Sequence, residues 1–224
     1  MMNSRVQFDA EIKALEARFQ SMCQATGDML QMAVAALETG NPALINAVIE
    51  RDDEVDADNV WLETECMRLV IQQQPVAHDL RVIGMIFKAI TDVERIADHA
   101  VDIAKIAVYT GSIHEFVLIT ELRNLGAEVQ KMFQFSKDAF ASYDTQLAAT
   151  IIEQDNVVDD LFHTLRDRLM RLMQDDREHT VLASNLIFAV QFLERIGDRC
   201  VNMAERIHLI EWGLPPDRPH ASPV

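Results

Sequence analysis

Four pairs of acidic residues stand four apart: Asp52 and Asp56, Glu94 and Asp98, Asp155 and Asp159, Glu194 and Asp198. On a helix each residue turns about 100° from the last. With Ile90 at zero, Ile83 and Val101 fall near about 20° and Phe87 near about 60°, which makes an apolar stripe. Glu94 and Asp98 fall at about 40° and about 80°, within or beside that stripe. The same angles recur for Glu194 and Asp198 counted from Val190, for Asp52 and Asp56 from Val48, and for Asp155 and Asp159 from Ile151. Like charges at this spacing repel, and moving carboxylates toward a core costs more still. Three things compensate such a placement. Protonation neutralises one member of a pair. Arg95, Arg195 or Arg199 pairs with the acids. Or a metal ion takes two carboxylates from each of two helices, since carboxylate oxygens are proper ligands for hard cations. A solvated acidic face with salt bridges is the reading without special chemistry.

The other chemistry-bearing residues form no comparable pattern. His78, His99, His114, His163, His179, His208 and His220 make no cluster in sequence and read as exposed or capping. Glu205 and His208 form one Glu-x-x-His, where a ferritin-like di-iron site needs two, with two further glutamates. The methionines read as core filler. Neither a Gly-x-x-x-x-Gly-Lys loop nor a Gly-x-Ser-x-Gly elbow occurs. The expectation is a protein that is not an enzyme.

The elements that carry the acids are helices. Prolines stand at 42, 75, 215, 216, 219 and 223, and none lies between Val76 and Leu214. That gap permits long helices. The pattern predicts six, all near about 30 residues: 8–38, 42–74, 77–109, 115–141, 145–173 and 180–212. Asn41 before Pro42 is a favoured start, and Gly213-Leu214-Pro215-Pro216 a favoured stop. Long helices with short turns imply an antiparallel bundle. The six divide as three plus three. Ile49-Glu50-Arg51-Asp52-Asp53-Glu54-Val55-Asp56 matches Ile152-Glu153-Gln154-Asp155-Asn156-Val157-Val158-Asp159 at an offset of 103, and Val93-Glu94-Arg95-Ile96-Ala97-Asp98 matches Leu193-Glu194-Arg195-Ile196-Gly197-Asp198 at 100. Two matches at nearly one offset indicate a tandem repeat. The expected division is 1–111, 112–214 and a loose tail over 215–224.

Composition bounds the rest. The chain has 224 residues, 49% of them hydrophobic, with 36 acids against 20 Lys and Arg, a formal charge of −16. The acid excess is shared: 18 acids against 9 bases in 1–111, and 18 against 11 in 112–224. This argues against nucleic-acid binding, which needs neutralised phosphates, and suits cations or basic partners. Cys23, Cys66 and Cys200 are odd in number and far apart, so a reduced, intracellular setting is expected. The first residues lack a signal peptide's apolar run, and no apolar stretch approaches the roughly 20 residues that cross a bilayer. A membrane would be met only through partners.

The chain resembles the PhoU family of bacterial phosphate-signalling regulators. The resemblance lies in Glu50-Arg51-Asp52-Asp53-Glu54-Val55-Asp56, Gln74-Pro75-Val76-Ala77-His78-Asp79-Leu80-Arg81, Glu94-Arg95-Ile96-Ala97-Asp98 and Glu194-Arg195-Ile196-Gly197-Asp198-Arg199-Cys200, and extends from about residue 8 to 212. It implies an all-α protein of two tandem three-helix bundles related by a pseudo-twofold. It implies metal clusters of iron, zinc, manganese or magnesium, held by Asp52, Asp56, Glu94 and Asp98 in one unit and by Asp155, Asp159, Glu194 and Asp198 in the other. It further implies a cytoplasmic homodimer that acts with the Pst phosphate ABC transporter and restrains the PhoR sensor histidine kinase when phosphate is ample. Three departures stand out. Ala97 faces Gly197, Asp102 faces Asn202, and the second repeat lacks the Gln-Pro turn. Two other functions compete with a regulatory adaptor: a metal-dependent hydrolase built on the carboxylates, and a purely structural transporter-accessory module.

Overall fold

The structure, a computed structural model, describes residues 2–212, and side chains over 5–207. The tail expected over 215–224, the stop at 213–216, His208 and His220 therefore lie outside the described residues or side chains. Six helices follow in order: α1 Met2–Thr39, α2 Pro42–Gln73, α3 Ala77–Thr110, α4 Ile119–Ser142, α5 Thr145–Asp175 and α6 Thr180–Trp212. No strand occurs among the described residues.

Local chemistry explains the ends. Asn41 caps α2, its Oδ1 accepting from the Ala43 amide at 2.9 Å, with Pro42 opening the helix. Asp144 caps α5 by accepting from the Gln146 and Leu147 amides at 2.8 and 3.0 Å. Such caps satisfy amides that a helix start leaves unpaired. The turn from α1 to α2 needs its glycine: Gly40 has φ +63°, and a Cβ there would lie 2.6 Å from the Gly111 carbonyl carbon.

The first helix begins at Met2 instead of 8, and the fourth helix departs from expectation too. It begins at Ile119 instead of 115 and has 24 residues. The segment before it is folded into the core by its own apolar side chains, since Ile113, Phe116 and Leu118 are buried. The Ile113 amide also donates to the Glu38 carbonyl at 3.0 Å, tying the segment to the end of α1. Burial of those three side chains outweighs the few helical bonds a longer α4 would add.

Helices α1, α2 and α3 pack on one another as one bundle, and α4, α5 and α6 as a second. The bundles join along two seams, a broad one between α3 and α6 and a narrower one between α1 and α4. One apolar core runs through all six helices.

The seam contacts come in pairs that reveal the internal symmetry. Asp92 meets Arg199 at 3.6 Å, and the positions 100 residues away from each, Phe192 and His99, stack with centroids 5.3 Å apart. At the other seam a Cβ on Gly27 would lie 3.5 Å from Phe133, and one on Gly126 would lie 2.9 Å from Val34. Both residues of the second contact map onto the first at an offset of 99. A glycine inside a helix costs about 1 kcal/mol against alanine, and here each one lets α1 and α4 approach. The duplication read in the sequence is thus a pseudo-twofold in space, with α3 antiparallel to α6.

Candidate metal centres

The four acidic pairs sit where two helices of one bundle meet. Asp52 and Asp56 lie on α2 and face Glu94 and Asp98 on α3; Asp155 and Asp159 lie on α5 and face Glu194 and Asp198 on α6. None is fully buried. Asp56 and Asp198 are exposed and the other six are half-buried. The helical angles therefore place them correctly, at the border of the apolar stripe, where a carboxylate keeps contact with water.

Their electrostatics show that each set of four acts as a unit. Burial raises the Asp52 carboxyl, and Asp56 and Asp98 push it further. Glu94 is raised by burial and then by Asp98, opposed by Arg95, with Asp56 and Asp52 adding to the rise. In the second unit burial drives Glu194 up to about 7, with Asp198, Asp159 and Asp155 adding their repulsion against Arg195. Clustered carboxylates that hold their protons too well are sites that gain from a bound cation.

Arginine answers part of this charge. Arg95 donates from Nη1 to Asp98 Oδ2 at 2.9 Å and lies 3.5 Å from Glu94. Arg195 instead lies over the Phe192 ring, 6.0 Å from its centroid. Arg199 turns to Asp92 on α3. The salt-bridge alternative is thus realised at Arg95 in the first unit, and in the second Arg195 opposes the rise at Glu194. Asp102, the extra acid of the first unit, lies 4.0 Å from both His99 and Lys105.

The donor set suits a cation ligated by oxygen, being carboxylates throughout. The fit is one of donor chemistry and neighbourhood. Among the described residues no three His, Cys, Asp or Glu side chains stand in positions that would hold a metal ion. Gly197 adjoins the second set: a Cβ there would lie 3.3 Å from Val158 and 3.8 Å from Asp155 Oδ1. Glycine at 197 therefore brings the α6 backbone close to α5 beside an acid of the set.

Two features of the α3/α6 seam are absent from the sequence reading. Asp92 is 2% exposed and accepts from Arg206 Nε at 2.7 Å, with Arg199 as a second partner. His99 is not an exposed or capping residue. Its side chain is 12% exposed, it stacks on Phe192, and its Nδ1 is buried without a hydrogen-bond partner. Burial holds this imidazole below the ordinary histidine range. The signal for both was α3 itself. Besides the stripe counted from Ile90, it carries a second apolar stripe through Val82, Ile86, Val93, Ile96 and Ile103, which marks a helix buried on two sides. The three cysteines are free and buried, and burial pushes the Cys66 and Cys200 thiols up to about 12.

The fold and its acids define a class of protein: a duplicated all-helical scaffold with one carboxylate cluster per repeat. The PhoU domain pattern matches residues 19–107 and again 122–207, and the chain belongs to the PhoU family. It is 34% identical to the phosphate-specific transport system accessory protein PhoU homolog of Pseudomonas aeruginosa, over 90% of this chain and 84% of that one. Identity to the phosphate-specific transport system accessory protein PhoU of Escherichia coli K12 is 32%, over 90% of this chain and 83% of that one. Among solved structures, PhoU from Pseudomonas aeruginosa superposes with a TM-score of 0.87 at 33% identity, covering 92% of this chain and all of that one. The phosphate transport system regulatory protein PhoU from Streptococcus pneumoniae superposes at 0.86 with 26% identity, covering 94% and 99%. The expected all-α duplicated fold is therefore the family's fold.

Proposed function

We propose that this chain is a non-enzymatic, metal-binding regulator of phosphate uptake and phosphate signalling. It acts as a homodimer in the cytoplasm, modulates a phosphate ABC transporter, and restrains a sensor histidine kinase of the PhoR type when phosphate is ample. Membership of a family whose relatives are named as phosphate-transport accessory proteins supports the system it serves. The carrying observation is the pair of four-carboxylate sets, one per repeat, on a scaffold whose sequence lacks nucleophile and phosphate-loop motifs.

In this reading Asp52, Asp56, Glu94 and Asp98 hold one centre, and Asp155, Asp159, Glu194 and Asp198 the other. A divalent or trivalent cation of the magnesium, manganese, iron or zinc kind supplies positive charge where the carboxylates repel. The chain's own residues tie α2 to α3 and α5 to α6 through that charge. Cation loading thereby tunes how rigidly each bundle presents its surface.

The test has two arms. Elemental analysis of protein purified without chelator is set beside the Glu94→Ala/Asp98→Ala double variant, and metal content falling by about half places one centre in each repeat. Binding to the cytoplasmic region of the kinase is measured in parallel. Metal in neither protein removes the cation from the reading, and no binding in any metal state removes the kinase.

A further inference from the structure

We propose that the first half of α3 is a docking face for an acidic amphipathic helix of a partner protein, centred on Gly84. The face is odd for this molecule. On a chain of charge −16, the run from Pro75 to Thr91 contains one acid, Asp79, and Arg5 of α1 neutralises it at 2.8 Å. Arg81 and Lys88 lie two helical turns apart on one side of α3, and neither has an ion-pair partner among the described residues. Beside them Leu80 and Phe87 repeat the same spacing and are 43% and 38% exposed. The result is a cationic ridge next to an apolar one, each about 10 Å long.

Gly84 stands at the middle of that face, about 60° from Arg81. Every other glycine inside a helix has a neighbour that explains it. A Cβ would meet Phe133 or Lys137 at Gly27, Val34 at Gly126 and Val158 at Gly197. At Gly84 a Cβ would meet nothing within 4 Å. Nothing inside the chain calls for the missing side chain, while a helix laid across the surface would use it, because a bare backbone permits close approach.

The pseudo-twofold supplies an internal control. The positions 100 residues on from Arg81 and Lys88 are Val181 and Phe188, 72% and 58% exposed and uncharged. Position 184 is a serine. The repeat architecture therefore does not require cations on this face. Only the first repeat carries them, and their charge selects an acidic partner over a basic one. An i,i+7 pair of Asp or Glu on the incoming helix would meet Arg81 and Lys88, and its apolar side would cover Leu80 and Phe87.

This inference rests on the regulatory reading, and its test separates the two. The full chain is titrated with the kinase's cytoplasmic region and with the ATP-binding subunit of the phosphate transporter, at about 50 and about 300 mM salt. Against whichever binds, Arg81→Glu/Lys88→Glu is expected to weaken the complex by about tenfold or more at the lower salt and to flatten its salt dependence. Gly84→Leu is expected to raise Tm, since leucine is the better helix former, yet to weaken the complex. Val181→Ser is expected to leave affinity unchanged. Wild-type affinity in the charge-reversed or the Gly84→Leu protein overturns the docking face while leaving the regulatory reading intact. An equal loss on Val181→Ser overturns it too. A wild-type chain that binds neither probe overturns the regulatory reading and this face with it.

Discussion

Glu194 is raised to about 7 against an ordinary value of 4.5. The sign follows from proton linkage. Between those two values the folded protein holds a proton that the unfolded chain has released. Glu194 therefore contributes a fall in the stability of the metal-free protein as pH rises from about 4.5 to about 7, and His99, which burial holds below its unfolded range, opposes it. Asp52 and Glu94, also raised, act in the same direction as Glu194. Urea titrations of chelator-treated wild type and Glu194→Gln across that range are expected to show the wild type losing stability relative to the variant as pH rises. A Glu194→Gln protein whose stability follows the same pH course as the wild type would contradict the cluster's electrostatics. Asp92 behaves differently. It is 2% exposed beneath Arg206 and Arg199, and Asp92→Ala leaves Arg206 beside an uncompensated pocket. A loss of about 3 kcal/mol in equilibrium unfolding is expected. The sequence revealed the carboxyls at the border of a stripe because helical angle alone locates them. It did not reveal Asp92, whose burial depends on α6 lying across the far side of α3.

At the scale of elements, helix type and order were legible and two boundaries were not, the starts of α1 and α4. Prolines, Asn41 and Asp144 mark starts by local chemistry that a sequence carries openly. The start of α4 was set by Ile113, Phe116 and Leu118 entering a core built by other helices, which local propensity does not report. The glycines divide in the same way. Gly126 has no turn to make. Its role shows only in the Val34 side chain that a Cβ would approach to 2.9 Å. Gly126→Ala is expected to destabilise the protein by about 1–3 kcal/mol, overpacking at the α1/α4 seam outweighing the better helix propensity. A rise in thermal midpoint for that variant would show that the seam yields freely. Gly197 is the milder case, with Val158 at 3.3 Å from the added carbon.

At the scale of the whole molecule, the two repeats share a core and are not beads on a string. Helix α3 buries one stripe within its own bundle and a second against α6. Cutting the chain at residue 111 would expose the second stripe, and patches of that kind drive association. The fragment 1–111 is expected to dimerise through α3 or to aggregate, as size-exclusion chromatography with light scattering would show. A monomeric, cooperatively folding fragment would mean that each bundle is self-sufficient. Among the described residues no helix is long and apolar enough to cross a membrane.

The sequence by itself determined the helices, their duplication and the angular place of eight carboxylates. All three follow from periodicity and local capping, which act over a few residues. Tertiary structure alone decided how the repeats join. It set Asp92 beneath two arginines and His99 against Phe192, buried a loop that propensity reads as helix, and showed which glycines inside helices have neighbours and which has none. The contacts between α3 and α6 join side chains more than 90 residues apart in the chain, and the choice of partner over that distance leaves no local pattern to read.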